Sequence, residues 1–220
     1  MKPLTTTLGG GIGEVGFRSL QLARIDSLQI GSFKVKNIPA IIKDPSLRNL
    51  PTKEGESLSP LALGFSTVID YKARKMTFGR NLPADSSDFE LPMRLHRLAV
   101  VRGTVDRNHP TNFVVDTGGQ VISISKATAT QLGRPEPTRR IALRVYGSSG
   151  WDRDAFLMPG VDLAFDAIHY PKYSVVVLNL NVPSALLGFQ VGGTVGHSFL
   201  SRYRVSIDLD RSVLRLKDAS

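Results

Sequence analysis

Short β-branched runs recur along the chain between Gly, Pro and Asn punctuation, and this pattern predicts a mostly-β protein. "SLQIGSFKVKNIPAIIK", "RLAVVRGTV", "RRIALRVYG", "YSVVVLNLNV", "YRVSIDLD" and "SVLRLK" are each expected to form strands. "RVSIDLD" alternates apolar and polar residues with period two, as a half-buried strand does. Two stretches read as helical. "SKATATQLG" opens on Ser125, a good cap, and stops at Gly133. "GHSFLSRY", residues 196 to 203, fits a short helical turn between Gly196 and a strand. The segment "KDPSLRNLPTKEGESLSP" is rich in Pro, Ser and charge and is expected at the surface.

The pattern also repeats itself. "FSTVIDYKARKMTF" (65–78) and "YRVSIDLDRSVLRL" (203–216) share one plan: an apolar strand ending in Ile-Asp, a charged turn containing Arg, and a second strand. Asp70 matches Asp208, and Gly64 and Gly196 each precede their strand. A second echo pairs "GGGIGEVG" (9–16) with "YGSSGWDR" (146–153), both glycine-rich hairpin candidates. Two lobes are therefore expected, residues 1–85 and 86–220, with the boundary near Arg80 to Glu90. Extending the match backward puts the counterpart of Asp116 upstream of Met1, so the first lobe is expected to be incomplete.

Composition narrows the function classes. At 220 residues and 24.0 kDa, with 41% hydrophobic residues, the chain has enough material for a real core. No apolar run is long enough for a transmembrane helix, and the first residues lack the apolar stretch of a signal peptide. Cysteine is absent, which excludes disulfides and thiol catalysis but leaves the compartment open, including a periplasmic or secreted full-length form. The formal charge is +9 and the pI about 10.0. The basic residues are interspersed with acids, as in "DYKARKMTFGR", and no nucleic-acid module or aromatic stacking platform accompanies them. Loose attraction to anionic polymers remains one reading of the charge.

The candidate chemistry lies in "NFVVDTGGQVISIS", residues 112–125. An apolar run delivers one carboxylate, Asp116, into a Thr and two glycines, and an alternating strand follows. An Asx turn ending a strand accounts for the same residues without any catalysis. Other motifs carry less. Gly11, Gly13 and Gly16 form a Gly-x-Gly-x-x-Gly, but no strand-to-helix context surrounds them, so no nucleotide site is expected. His96, His109, His169 and His197 show no metal-ligand spacing, and no Ser nucleophile elbow is present.

"FVVDTGG" resembles the signature of the aspartic peptidases, an apolar strand followed by Asp-Thr-Gly-Ala or Asp-Thr-Gly-Ser. "GGTVGHSFLSRYRVSIDLDRSVLRL" resembles the closing segment of retropepsin-like enzymes, with Val195-Gly196 before a short helix and the last core strands. The likeness covers most of residues 90–217 and, more weakly, 4–80, and is greatest to bacterial two-repeat retropepsin-like proteins. It departs at Gly119, where Ala or Ser is usual, and in offering a single Asp-Thr-Gly.

The resemblance implies an all-β, retropepsin-like fold and peptide-bond hydrolysis by two carboxylates sharing one proton. The ionised member takes a proton from a bridging water, and the protonated member hydrogen-bonds the scissile carbonyl. Asp116 would be the catalytic member supplied here. Thr117, Gly118 and Gly119 would support the loop, and Tyr146, Gly147, Gly150 and Trp151 would form a flap over the peptide; a plain hairpin tip explains the latter four equally well. The second carboxylate would come from a missing N-terminal segment or from a second copy in a homodimer. Neither cofactor nor metal is implied; the expected partner is a peptide or protein substrate. A peptide-binding or scaffold protein that keeps the fold without catalysis is the alternative.

Overall fold

The computed structural model describes residues 2–13, 16–42, 57–134 and 141–219. The Pro- and Ser-rich segment expected at the surface falls mostly outside these residues. Seventeen strands and three short helices are found among them, in keeping with the all-β class expected from the strand pattern.

The first half opens with β1 (Lys2–Gly10), β2 (Phe17–Ile30) and β3 (Phe33–Ile42), an antiparallel three-stranded sheet of its own. A 3₁₀ turn at Leu61–Leu63 ends on Gly64 in the left-handed region and leads into the hairpin β4 (Ser66–Asp70) and β5 (Lys75–Gly79). Residues 80–88 then run without regular structure to the second half.

There the hairpin of β6 (Phe89–His96) with β7 (Leu98–Val105) continues into β8 (His109–Val115) and β9 (Ile122–Ser125). Helix α1 (Lys126–Gln131) is capped as its sequence predicts, the Ser125 Oγ accepting the Thr128 N–H at 3.0 Å. Next come β10 (Ile141–Ala142), the small hairpin β11 (Val145–Gly147) with β12 (Gly150–Asp152), and the long pair β13 (Phe156–Phe165) and β14 (Ile168–Leu178). The chain closes with α2 (Asn181–Leu187), β15 (Gly193–Val195), α3 (His197–Leu200), β16 (Tyr203–Asp208) and β17 (Val213–Asp218).

Twelve of these strands form one sheet in the order β10-β13-β14-β9-β15-β8-β7-β6-β17-β16-β4-β5. The sheet curls on itself because β13 also pairs with β7, Leu163 opposite Val105. Closure of this kind removes the free edges of the barrel strands. Its interior holds Val105, Phe113, Ile122, Ile124, Leu163, Phe165, Val177, Val195, Phe199 and Leu200, all 2% exposed or less. The closing segment supplies much of that core: Phe199, Leu200, Val205 and Ile207 are buried, as the alternation of "RVSIDLD" predicts.

The repeat seen in the sequence is kept in the strand registers. In the first hairpin Asp70 faces Lys75 and Ile69 faces Met76; in the second Asp208 faces Val213 and Ile207 faces Leu214. One offset, 208 − 70 = 138, carries each pair onto the other. The two hairpins also pair with each other, β4 antiparallel to β16, with Val68 directly opposite Ser206. Those two positions are themselves counterparts under the same offset, so a local two-fold axis passes between them. Both Ile-Asp positions are structural: Asp70 Oδ1 accepts the Ala73 N–H at 2.8 Å, and Asp208 Oδ1 accepts the Arg211 N–H at 3.0 Å.

Two expectations need correction. "YSVVVLNLNV" is not strand throughout: β14 stops at Leu178 and α2 begins at Asn181. The "LNLN" alternation imitates a strand, but Pro183 suits a first helical turn, where the missing N–H has no partner to lose. "RRIALRVYG" is likewise broken into β10 and β11, with the Leu143 N–H leaving for the Ala155 carbonyl.

Candidate active site

Asp116 sits one residue beyond the end of β8, and its placement follows from the strands beneath it. β15 runs parallel to β8 and antiparallel to β9, so three chains converge below the loop. The Asp116 N–H donates to the Val195 carbonyl at 3.0 Å, extending the β8–β15 ladder by one step. This close approach needs glycine at Gly193, where a Cβ would stand 2.2 Å from the Ser123 carbonyl oxygen and 2.6 Å from the Phe113 ring. A buried hydrogen bond between Ser123 Oγ and Thr194 Oγ1 at 2.8 Å ties β9 to β15.

The loop is held by its own carboxylate and by α3. Asp116 Oδ1 accepts the N–H groups of Gly118 at 3.1 Å and Gly119 at 3.0 Å, an Asx-type turn. From the other side the His197 N–H donates to the Gly119 carbonyl at 2.7 Å and the Ser198 N–H to the Gln120 carbonyl at 2.9 Å. Gly196 makes this possible: a Cβ there would lie 2.6 Å from the Gly119 carbonyl oxygen. The turn expected as the bland explanation is thus present, yet it leaves the carboxylate half-buried, while Thr117 and Gly118 are exposed. Gly119, the departure from the usual Ala or Ser, packs against the carboxylate itself, since a Cβ at that position would sit 2.7 Å from Asp116 Oδ2.

Tyr146, Gly147, Gly150 and Trp151 all fall on the β11–β12 hairpin, where Tyr146 faces Trp151 across the strands and their rings meet edge to face at 4.9 Å. Asp152 anchors the base, its carboxylate accepting the N–H groups of Asp154 at 3.1 Å and Asn179 at 2.8 Å. The tip is engaged by the other glycine-rich segment. The Gly11 N–H donates to Ser149 Oγ at 2.8 Å, the Ser149 N–H donates to the Ile12 carbonyl at 2.9 Å, and Arg18 Nη2 donates to the Ser148 carbonyl at 3.1 Å. The backbones are nearly in contact: Gly13, at φ +137°, would place a Cβ 2.3 Å from the Ser149 carbonyl. The two segments that echo each other in sequence therefore clasp each other in space. The glycines were legible beforehand; their mutual contact was not, since no local signal names a partner more than a hundred residues away.

Sequence reasoning also missed the charged cluster behind the closing hairpin. Arg215 is buried and donates to Asp208 Oδ2 at 2.5 Å and to Glu90 Oε1 at 2.7 Å. Burial pushes the Asp208 carboxyl up, but hydrogen bonds from Arg215 and from the Arg211 backbone and side chain outweigh it and hold the carboxyl below its ordinary range. The same pairing, chiefly the bond to Asp208, raises Arg215. This cluster ties β17 to its neighbours β16 and β6.

The remaining candidates are kept apart from the loop chemistry. Gly11, Gly13 and Gly16 lie in the β1–β2 turn, where no helix follows. His109 and His169 lie on β8 and β14, and exposed His197 packs edge-on against the Tyr71 ring at 5.1 Å. No group of three or more potential metal ligands occurs among the described residues, and no helix among them is long and apolar enough to cross a membrane.

Residues 101–191, which run from within β7 past α2 and include the Asp116 loop, match the protein family described as Aspartyl protease. No curated protein matches the chain in sequence. Among solved structures it is similar to a retropepsin-like aspartic protease from Rickettsia conorii, with 18% identity, a TM-score of 0.42, and 61% of this chain and 96% of that one covered. It is also similar to the EIAV protease complexed with the inhibitor HBY-793 (17% identity, TM-score 0.36, 48% and 88% covered). A third is the retroviral protease-like domain of Ddi1 from Leishmania major (17% identity, TM-score 0.36, 56% and 94% covered). Within the second half, then, residues 101–191 are similar in sequence to the aspartyl protease family.

Proposed function

We propose that this protein is an aspartic endopeptidase to which the chain contributes one member of the catalytic dyad, Asp116. The observation that carries the reading is the loop itself. A carboxylate stands at the end of a buried barrel strand, on the stretch matched by the aspartyl protease family, its Oδ1 fixed by the Gly118 and Gly119 N–H groups. Residues 1–85 and 86–220 act as two lobes of one plan, and the β11–β12 hairpin, with Tyr146 and Trp151, is the flap over the peptide. In the reaction, Asp116 and a second carboxylate hold one proton between them. One of the pair draws a proton from a water, which attacks the peptide carbonyl, while the other donates to the carbonyl oxygen. Thr117, exposed at the loop tip, is the contact toward the loop that brings the second carboxylate. That second loop comes with a further segment or from a second copy.

The occurrence of only one Asp-Thr-Gly in the sequence favours a second reading, a peptide-binding scaffold without catalysis. The test compares the completed protein, dyad partner supplied, with its Asp116→Asn variant on an unbiased peptide library, across pH 3 to 8, roughly the span over which carboxyl dyads titrate. Cleavage best at acidic pH, blocked by a statine-type mimic of the tetrahedral intermediate and abolished by the substitution, supports the peptidase. Equal cleavage by both, or none by either, leaves the scaffold.

A further inference from the structure

The backbone of the Asp116 loop is tied at both ends, which leaves the carboxylate as its soft part. The Asp116 N–H donates to the Val195 carbonyl at 3.0 Å, and the Asp116 carbonyl accepts the Gly119 N–H at 3.1 Å. The Gly119 carbonyl is pinned in turn by the His197 N–H at 2.7 Å, and the Gly196 N–H holds the Val121 carbonyl at 3.1 Å. Gly196 lies so close that a Cβ on it would stand 2.6 Å from the Gly119 carbonyl oxygen. A side chain added to this loop therefore cannot be absorbed by shifting residues 119–121. It must be absorbed by rotation of Asp116 about χ1 and χ2.

Within this frame the two glycines after Thr117 are not equivalent. Neither has its φ in the left-handed region, so the backbone conformation alone admits a side chain at both. A Cβ on Gly118 would meet Asp116 Oδ1 at 3.5 Å, an ordinary van der Waals contact. A Cβ on Gly119 would stand 2.7 Å from Asp116 Oδ2, 3.0 Å from its Cγ and 3.5 Å from its Cβ. The carboxylate fills the space that any side chain at 119 would need. From that place Oδ1 accepts the Gly118 N–H at 3.1 Å and the Gly119 N–H at 3.0 Å.

We infer that Gly119 is a positioning residue: its missing side chain lets the Asp116 carboxylate lie back on its own loop, and any larger residue there lifts the carboxylate off the two N–H groups that fix it. The consequence for function rests on the peptidase reading of Asp116, because a carboxyl pair works only when both members are placed to within a fraction of an ångström. Residue 119 then sets where the reacting group stands, without touching the substrate or the water itself.

A double-substitution cycle tests this with Gly119→Ala, Asp116→Ala and the two together, each followed by urea unfolding and by amide NMR. In the parent, Gly119→Ala is expected to raise the unfolding equilibrium constant about tenfold, a coupling of the size that side chains in contact show. In the Asp116→Ala background the space is free. There the same substitution is expected to cost nothing, or to stabilise by narrowing the unfolded ensemble. Gly118→Ala is the steric control and should leave stability at or above that of the parent. The spectroscopic signature is local. Gly119→Ala should move the Gly118 amide proton towards its position in Asp116→Ala, and the amides at 118 and 119 should exchange about tenfold faster. An equal cost of Gly119→Ala in both backgrounds overturns the inference, as does an unmoved Gly118 amide or a Gly118→Ala variant that behaves like Gly119→Ala. If Gly119→Ala alone does not fold, a folded double variant supports the inference and an unfolded one overturns it. None of these readouts requires turnover, so a failure here leaves the Asp116→Asn comparison standing, and a protein without proteolytic activity can still pass this test.

Discussion

Replacing Arg215 with methionine is the most informative perturbation of the closing hairpin. Methionine keeps an unbranched stem of similar length, so packing against the sheet is largely retained while the charge is lost. Asp208, 6% exposed, would then keep only Arg211, whose own side chain is 55% exposed and is a weak partner in solvent. Removing one member of a buried ion pair costs about 3–5 kcal/mol, because the other charge stays buried without compensation. The remaining Arg211 bonds place the expected loss at the lower end, about 3 kcal/mol. With a urea dependence of about 2 kcal/mol per molar, the midpoint should fall by about 1.5 M in equilibrium unfolding followed by circular dichroism. The pH dependence has a definite sign. In the parent protein the Asp208 carboxyl is held below its ordinary value, so its contribution is fully present above the unfolded-state pKa, about 3.9, and fades as pH falls through the lower, folded value. Without Arg215, burial dominates and protonation relieves the stranded charge. The gap between parent and variant should therefore narrow from pH 7 towards pH 4. Adding Asp208→Asn to the variant removes the stranded charge and should restore most of the loss. An unchanged midpoint at pH 7, or a gap that widens in acid, would refute the argument that this buried pair supports the closing hairpin.

Two further outcomes are expected. Leu200→Ala, at a fully buried position in the barrel core, should lower stability by about 2–5 kcal/mol in denaturant unfolding; an unchanged value would place the closing helix outside the core. Ser149→Ala deletes the acceptor of the Gly11 N–H and should loosen the clasp, at a cost of about 1 kcal/mol. Trp151 is the sole tryptophan and sits in the same hairpin, so its emission should shift and the amides of residues 147–150 should exchange faster; identical spectra and exchange would mean that the clasp does not hold the β11–β12 hairpin.

What was legible in the sequence is what depends on local patterning. Period-two alternation marks "RVSIDLD" as a half-buried strand whatever it packs against, and Ser125 and Gly133 bound α1 through bonds made within a few residues. The Asp-Thr-Gly loop was visible for the same reason, because a strand, a carboxylate and two glycines are adjacent in the chain. So was the repeat, since it copies a local plan. Where local cues conflict, the reading failed: "LNLN" alternates like a strand, yet the turn after Leu178 and Pro183 make α2. Only the tertiary structure decided how the two copies of the repeat meet. That Val68 pairs with Ser206, that Gly11 and Ile12 grip Ser149, and that Arg215 bridges Asp208 and Glu90 are contacts between residues far apart in the chain. Contacts of that kind arise from the closing of the barrel and the burial of its faces, and no short window of sequence encodes them. The same holds for the uneven exposure of Met76 and Leu214, two residues at equivalent places in one pattern, distinguished only by which of them the fold covers.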